Sequence, residues 1–305
     1  MTTDYLKHTR MIKKFNLLTS EPLKNHTSFR VGGPADLLAM PENISQLKAM
    51  IKTAADLEIP TCVFGGGTNL LVSDKGIRGL VILTKKLIAG IQKTNTEESV
   101  IIGAFCGERL SRVCRFSIHH SLSGLEFAAG IPGTFGGAIA MNAGNSVSDM
   151  SQIVTAIDVL DKRTLNIITM TKDSLDFSYR NLNVDGIILM AKLRLKPSDP
   201  KAIEENFKQQ LQKKNAAQPL SCASAGCFFK NPEYGKSASE LIEKAGLKGL
   251  RVNDAMVSDI HANYIVNLKN ATCQDILSLK HTIQETVFNL FNIKLETEVR
   301  VEGEH

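Results

Sequence analysis

The chain has 305 residues, of which 43% are hydrophobic and 22% are charged, and its formal net charge is +5. A chain of this length buries a large core and is expected to form two or three domains. These fractions are typical of globular proteins and argue against disorder, a collagen-like repeat or a coiled coil. The modest positive charge is spread along the chain, which fits an anionic small molecule at least as well as nucleic acid.

The sequence indicates neither a secretory signal nor a membrane span. Residues 1–15 are basic and polar, and nowhere do eighteen apolar residues follow one another. The six cysteines form no C-x-x-C pair and no zinc-like spacing with histidine. We therefore predict a cytoplasmic protein with no metal site, no nucleic-acid partner and no membrane insertion. Its thiols are expected to be reduced, with at least five of them in the core.

The first half of the chain predicts alternating helices and short strands. Residues 43–57 place Leu47, Ile51 and Ala54 on one helical face, and Pro60 ends that helix before an apolar stretch at 61–64. Two further strands and an amphipathic helix are predicted at residues 80–83, 100–105 and 110–118.

From residue 153 the pattern changes to strands separated by turns, and antiparallel pairing is expected. These strands are predicted at residues 154–160, 165–170 and 186–195. A polar helix at 201–215 resembles a domain connector. The last hundred residues predict a compact α+β unit with helices at 237–245 and 273–291 and a final strand at 293–301. Thr272 and Asp275 predict a capping box at the start of the second helix.

Two glycine-rich segments stand out. The run Gly65-Gly66-Gly67-Thr68-Asn69 directly follows a predicted strand, and residues 130–144 contain five more glycines. Such backbone can turn consecutive N–H groups toward the oxygens of a diphosphate, although a plain turn or a sharp corner between strands is the alternative in each case. Neither segment matches a Rossmann or P-loop pattern. Together they favour one extended ligand that is contacted twice.

Six blocks occur in the order and at about the separations of the UDP-N-acetylenolpyruvoylglucosamine reductase family, which the chain resembles from about residue 14 onward. The blocks are NHTSFRVGGPAD (25–36), GGGTNLL (65–71), the glycine segment 130–144, YR (179–180), SAGCFFKNP (224–232) and EVR (298–300). The short stretch between Arg180 and Cys227 resembles the shorter of the two forms of this family, which lacks an extra substrate-covering loop.

The resemblance implies an α+β fold with non-covalently bound FAD. Two FAD-binding subdomains of the vanillyl-alcohol-oxidase (PCMH) type would cover residues 1–85 and 86–199, and a substrate domain would cover residues 200–305. NADPH would reduce the flavin, and UDP-N-acetylglucosamine enolpyruvate would then be reduced to UDP-N-acetylmuramate, a peptidoglycan precursor. The implied FAD contacts are Gly65, Gly66, Gly67, Thr68, Asn69, Leu70, Ile131, Pro132, Gly133, Thr134, Gly137, Ala138 and Asn142.

The resemblance also implies catalytic roles for Arg180 and Glu298. The reaction delocalises negative charge into the substrate carboxylate, and a cationic or acidic group must meet that charge. Arg180 aligns with the family's catalytic Arg, and its planar fork matches a carboxylate, although a surface Arg beside a turn is the alternative. Glu298 aligns with the catalytic Glu and would act while protonated. Only the EVR motif distinguishes it from Glu296.

Cys227 stands where the family usually has a proton-donating Ser. A thiol has an ordinary pKa of about 8.5, far below that of an alcohol, so it can donate a proton to an enediolate. The alternative is a small buried Cys with water as the proton donor. Tyr179, Lys230, Asn231 and His261 are the implied substrate contacts, although core packing is an equal alternative for His261.

Two other functions are compatible with parts of the sequence. Another FAD oxidoreductase, such as an alcohol or sugar-lactone oxidase, would explain the glycine segments but not the blocks at 224–232 and 298–300. A non-catalytic UDP-sugar-binding protein would explain the departure at Cys227, but Arg180 and Glu298 argue against it. The oligomeric state is not indicated by the sequence.

Overall fold

The computed structural model describes residues 3–97 and 99–304. The α-helices in these residues are α1 (Thr3–Lys14), α2 (Ile44–Asp56), α3 (Leu110–His119), α4 (Phe135–Ala140), α5 (Pro200–Ala217), α6 (Ala238–Lys244) and α7 (Cys273–Phe291). The strands are β1 (Leu18–Pro22), β2 (Pro34–Ala39), β3 (Thr61–Phe64), β4 (Leu70–Val72), β5 (Ile77–Leu83), β6 (Ile91–Asn95), β7 (Val100–Phe105), β8 (Leu122–Ser123), β9 (Val154–Leu160), β10 (Ile167–Thr171), β11 (Asp176–Ser178), β12 (Asn181–Asn183), β13 (Ile187–Pro197), β14 (Arg251–Val252), β15 (Ala255–Val257), β16 (Ile265–Asn267) and β17 (Arg300–Glu302). The predicted α+β class is confirmed.

The chain packs into two compact units, each assembled from separate segments of the sequence. The first unit consists of Met1–Leu18, Leu38–Gly66 and Leu80–Lys214. The second unit consists of Thr19–Leu37, Gly67–Gly79 and Asn215–His305. The three-domain division implied by the resemblance stays a prediction.

The first unit is built on an antiparallel sheet of order β10-β9-β13-β7-β6, and the short strand β8 also pairs with β13. The antiparallel pairing predicted for β9, β10 and β13 is confirmed. Along the second half of β13, buried and exposed residues alternate, because one face of the strand packs on the core and the other faces solvent. Residues of this sheet share one apolar core with helices α3, α4 and α5.

A second sheet has the order β1-β2-β5-β3. Strand β3 runs parallel to β5, with Thr61 paired with Leu80 and Phe64 paired with Leu83. Helix α2 connects β2 to β3 along the chain. Asn43 begins α2 by accepting a hydrogen bond from the Gln46 N–H, and the predicted apolar face of the helix is buried.

The second unit combines helices α6 and α7 with the antiparallel sheet β14-β15-β16. Strand β17 pairs in parallel with β4, from Arg300–Leu70 to Glu302–Val72. Both helices begin with a capping box, at Ser237 for α6 and at Thr272 for α7. The box predicted at Thr272 and Asp275 is thereby confirmed, and α7 has the predicted bounds.

Two sequence predictions are wrong. The sequence predicts the final strand at residues 293–301, but regular pairing covers only β17, because the preceding residues bond instead to the irregular segment around Phe228 and Lys230. The sequence also predicts at least five cysteines in the core, but only Cys106, Cys114 and Cys273 are buried. The other three, Cys62, Cys222 and Cys227, are partly exposed.

Candidate functional site

The two glycine segments approach each other closely within the first unit. A Cβ atom on Gly65 would lie 2.5 Å from Thr134 Oγ1, and a Cβ atom on Gly66 would lie 3.0 Å from Gly133 Cα. Both distances are at or below the limit for real Cβ contacts, so only glycine permits this approach. In the described part of the chain, the backbone N–H groups of Gly65, Gly66 and Gly133 have no protein acceptor. These donors are therefore available to an anionic ligand.

The donors at the start of α4, in contrast, are already used. Thr134 Oγ1 accepts a hydrogen bond from the Gly137 N–H at 3.3 Å, and the Phe135 and Gly136 N–H groups donate to backbone carbonyls at 2.7 and 2.9 Å. Thr134 and Ala138 are buried, and Ile131 packs against the core of the unit, whereas Pro132 is exposed. Of the N–H groups named for this segment, the one left for a ligand therefore belongs to Gly133, in the loop before α4.

Asn142 connects this segment to the turn that carries Arg180, also within the first unit. The Asn142 side chain is 3% exposed and donates to the Ser178 carbonyl at 3.0 Å. Arg180 follows in a tight turn between β11 and β12, with a left-handed φ of 57°. Its guanidinium carbon lies 4.9 Å from the centroid of the Tyr179 ring. The hairpin thus fixes the backbone at Arg180 in a conformation that few non-glycine residues adopt.

Cys227 lies in the second unit, in a segment held by Asn263. The Phe228 N–H donates to the Asn263 carbonyl at 2.8 Å, and the Asn263 side chain exchanges hydrogen bonds of 2.9 and 2.7 Å with the Phe229 backbone. Asn263 is 3% exposed, so these bonds satisfy a buried amide. In the sequence, Asn263 is a polar residue within the otherwise apolar run at 262–266, which is a signal for such a role.

Glu298 is held beside the same segment. Its N–H donates to the Phe228 carbonyl at 2.9 Å, and its own carbonyl accepts from Asn69 Nδ2 at 3.0 Å. The Arg300 N–H donates to the Asn69 carbonyl at 3.1 Å. Asn69, a predicted FAD contact, therefore also positions the Glu298 backbone, a role the sequence did not indicate.

The backbone hydrogen bonds of Phe228 bring its neighbour Cys227 close to Tyr264 and Glu298 in the second unit. Burial raises the pKa of the Tyr264 phenol, and the neighbouring Cys227 and Glu298 side chains raise it further. Glu296 is exposed and lies 3.7 Å from Lys230 Nζ. The structure thus places Glu296 on the surface and Glu298 beside the Cys227 segment, whereas in the sequence only the EVR motif distinguishes the two.

The predicted substrate contacts in this unit also have partners within the protein. Asn231 Oδ1 accepts a hydrogen bond of 3.1 Å from the N–H of Ala238, the first residue of α6. His261 Nδ1 accepts from the Asn263 N–H at 3.3 Å, and burial lowers the pKa of His261, which keeps its ring neutral at physiological pH. Lys230 pairs with Glu296.

The remaining predicted FAD contacts, Gly67, Thr68 and Leu70, lie in the second unit. Gly67 has φ of 66°, and a Cβ atom there would lie 2.0 Å from the His26 carbonyl oxygen. Leu70 is buried in β4, where it pairs with Arg300. The run at 65–69 is therefore shared between the two units.

Other features do not add to this site. A surface cavity of about 580 Å³ is lined by Gly90, Ile91, Arg112, Arg115 and Phe116, none of which is a predicted site residue. Among residues 3–97 and 99–304, no group of three His, Cys, Asp or Glu side chains is arranged to hold a metal ion. In the same residues no helix is long and apolar enough to cross a membrane.

Two family models match the chain. One, described as the UDP-N-acetylenolpyruvoylglucosamine reductase C-terminal domain, covers residues 218–302. The other, described as an FAD binding domain, covers residues 35–167.

Individual relatives match over nearly the whole chain. The UDP-N-acetylenolpyruvoylglucosamine reductase of Clostridium tetani is 43% identical over 95% of this chain and 93% of its own length. That of Alkaliphilus oremlandii is 40% identical over 98% of both chains. The crystal structure of the Thermus caldophilus enzyme has a TM-score of 0.78 and 34% identity, and the match covers 93% of this chain and 99% of that one.

Proposed function

Since the chain belongs to the UDP-N-acetylenolpyruvoylglucosamine reductase family, we propose that it uses NADPH to reduce UDP-N-acetylglucosamine enolpyruvate to UDP-N-acetylmuramate, with Cys227 as the proton donor. The protein is an FAD-dependent oxidoreductase. The observation that supports the finer proposal is the backbone hydrogen bond from Glu298 to Phe228, which holds the two motif residues Cys227 and Glu298 side by side in the second unit. A peptidoglycan precursor is thus its proposed product.

The glycine segments fit the diphosphate of FAD. Gly65, Gly66 and Gly133 offer backbone N–H groups without protein acceptors in the described part of the chain, and Gly65 and Gly66 lie where the two segments approach too closely for a side chain. The other FAD contacts implied by the resemblance complete the proposed set. FAD held there would supply the hydride for the methylene carbon of the enolpyruvyl group, with NADPH as the source of that hydride.

The protein's own residues then have three tasks. Arg180 binds the substrate carboxylate and stabilises the negative charge that it gains. Glu298, in its protonated form, helps to polarise the same carboxylate as the enediolate develops. Cys227 gives its proton to the carbon next to the carboxylate, so the S–H bond breaks, a C–H bond forms and a thiolate remains until solvent reprotonates it. Tyr179, Lys230, Asn231 and His261 are the proposed contacts to the rest of the substrate.

The proposal is tested by following the two half-reactions under anaerobic conditions with Cys227→Ala and Cys227→Ser. NADPH should bleach the flavin at the wild-type rate in both variants, because Cys227 acts only after hydride has been delivered. Oxidation of the reduced flavin by the enolpyruvyl substrate should slow by about 100-fold or more in the Ala variant, which lacks a proton donor.

Cys227→Ser is the matched control and should retain activity, because a hydroxyl can also donate a proton. Equal losses in both half-reactions of Cys227→Ala would contradict the donor role. A wild-type reduced flavin that the enolpyruvyl substrate does not reoxidise would contradict the proposed reaction itself.

A further inference from the structure

Tyr264 is a buried phenol for which the proposed reaction has no task. Its side chain is 6% exposed, directly before β16. The Tyr264 N–H donates to the His261 carbonyl at 2.9 Å, and its own carbonyl accepts from the Ser258 N–H at 2.8 Å. The ring meets the His261 ring edge to face, with centroids 4.9 Å apart. Backbone and ring are therefore both fixed.

The same hydrogen bonds bring this phenol to Cys227. The bond from the Phe228 N–H to the Asn263 carbonyl places Cys227 and Tyr264 at adjacent positions of two neighbouring segments. The Cys227 thiol and the Glu298 carboxyl group both raise the pKa of the Tyr264 phenol, as acidic neighbours do. Backbone pairing and this effect together place the phenol beside the sulfur that is proposed to lose its proton.

We propose that Tyr264 is a positioning residue for Cys227: its hydroxyl donates a hydrogen bond to the sulfur and stabilises the thiolate that remains after the proton transfer. This inference rests on the proposed function. Burial and the two acidic neighbours raise the pKa of the phenol, so Tyr264 keeps its own proton throughout. A hydrogen bond donated to the Cys227 thiolate stabilises the thiolate relative to the thiol, so the thiol becomes a stronger acid.

The test compares the wild type with Tyr264→Phe, which keeps the ring and removes only the hydroxyl. Alkylation of Cys227 is followed against pH in the flavin-loaded, substrate-free protein and mapped by mass spectrometry. The pH midpoint should rise by about one unit. Cys62 and Cys222, read from the same digests, are the internal controls and should not shift. The titratable groups that face this pair are Glu298, which raises the pKa of Tyr264, and His261, whose ring packs against Tyr264; Lys248 and Glu243 act in turn on the pKa of His261.

A kinetic measurement tests the same role independently. Tyr264→Phe should slow flavin oxidation by the enolpyruvyl substrate about tenfold and leave reduction by NADPH unchanged, because one pKa unit corresponds to a factor of ten. In a Cys227→Ala background the same substitution should have no further effect, because the sulfur on which it acts is gone. If Tyr264 had only a structural role, Tyr264→Phe would slow the wild type and the Cys227→Ala variant by the same factor.

A second variant covers the case in which Tyr264→Phe does not fold. Fluorotyrosine at position 264 keeps the ring and is a stronger donor, so it should lower the midpoint of Cys227 alkylation. An unchanged midpoint in either folded variant overturns the positioning role. A shifted midpoint in a protein that does not reduce the substrate would instead support the Tyr264–Cys227 pair and contradict the proposed function.

Discussion

Gly67 occupies a conformation and a space that exclude any side chain. Its φ of 66° is left-handed, and a Cβ atom would lie 2.0 Å from the His26 carbonyl oxygen. We expect Gly67→Ala to lower the free energy of unfolding by at least about 2 kcal/mol, because strain and overlap add. Urea denaturation measures this loss.

Gly246 provides the matched control for Gly67→Ala. It also lies in the second unit and has a left-handed φ of 72°, but nothing lies within 4 Å of an added Cβ atom. Gly246→Ala should therefore cost only about 1 kcal/mol, from strain alone. Equal losses in the two variants would show that the overlap with His26 contributes nothing.

Single residues were predictable from the sequence where a motif marked them, and their surroundings were not. The motifs marked Cys227 and Glu298, and in the structure the Glu298 N–H bonds to the Phe228 carbonyl, directly after Cys227. No periodicity could indicate that Asn263 holds the Cys227 segment or that Asn69 binds the Glu298 carbonyl, because both bonds join residues far apart in the chain. Long-range polar contacts of this kind depend on the finished fold.

Helix α7 begins at a capping box whose acidic member is buried. Asp275 accepts from the Thr272 N–H at 2.9 Å and from Asn253 Nδ2 at 2.7 Å, and it is 7% exposed. Asp275→Ala should lower the free energy of unfolding by about 1–2 kcal/mol. Glu240→Ala in the exposed capping box of α6 is the control and should cost less.

The effect of Asp275→Ala should depend on pH. Burial alone would raise the pKa of Asp275, but hydrogen bonds from Thr272 and Asn253 outweigh it, and the pKa is lowered on folding. A carboxyl group of this kind stabilises the fold fully above its ordinary value of about 4 and loses that contribution as pH falls through the folded value. The difference between wild type and variant should therefore shrink below about pH 4. A difference that stays constant to pH 2 would contradict this assignment.

Elements with a strong local signal were predictable, and elements that depend on a distant partner were not. Helices α2 and α7 carry caps and apolar faces in their own sequence. The alternation at 293–301 predicted a strand, but these residues bond to the irregular chain around Phe228 and Lys230, and regular pairing begins only at Arg300. Alternating polarity specifies an extended chain, whereas a strand also needs a regular partner.

The distribution of thiols over the molecule allows the two units to be followed separately. Burial raises the pKa of the Cys106, Cys114 and Cys273 thiols to about 12. At pH 8 we expect rapid alkylation only at the partly exposed cysteines, and reaction of the three buried thiols only upon unfolding. Alkylation pulses during a urea titration, read by mass spectrometry, measure this order.

Each buried thiol reports on the unit that contains it. Cys106 and Cys114 lie in the first unit and should become reactive at one shared urea concentration, whereas Cys273 reports on the second unit. Different midpoints for Cys106 and Cys114 would contradict a single cooperative first unit.

The segmented construction of the second unit has a consequence for synthesis on the ribosome. Phe29, Val31 and Leu71 emerge early, yet their buried neighbours in the core of that unit belong to residues 225–299. Strand β4 likewise awaits β17, which is translated some 230 residues later, the separation between Leu70 and Arg300. Nascent chains must therefore carry these apolar side chains without their native partners for most of translation, when they are available to chaperones.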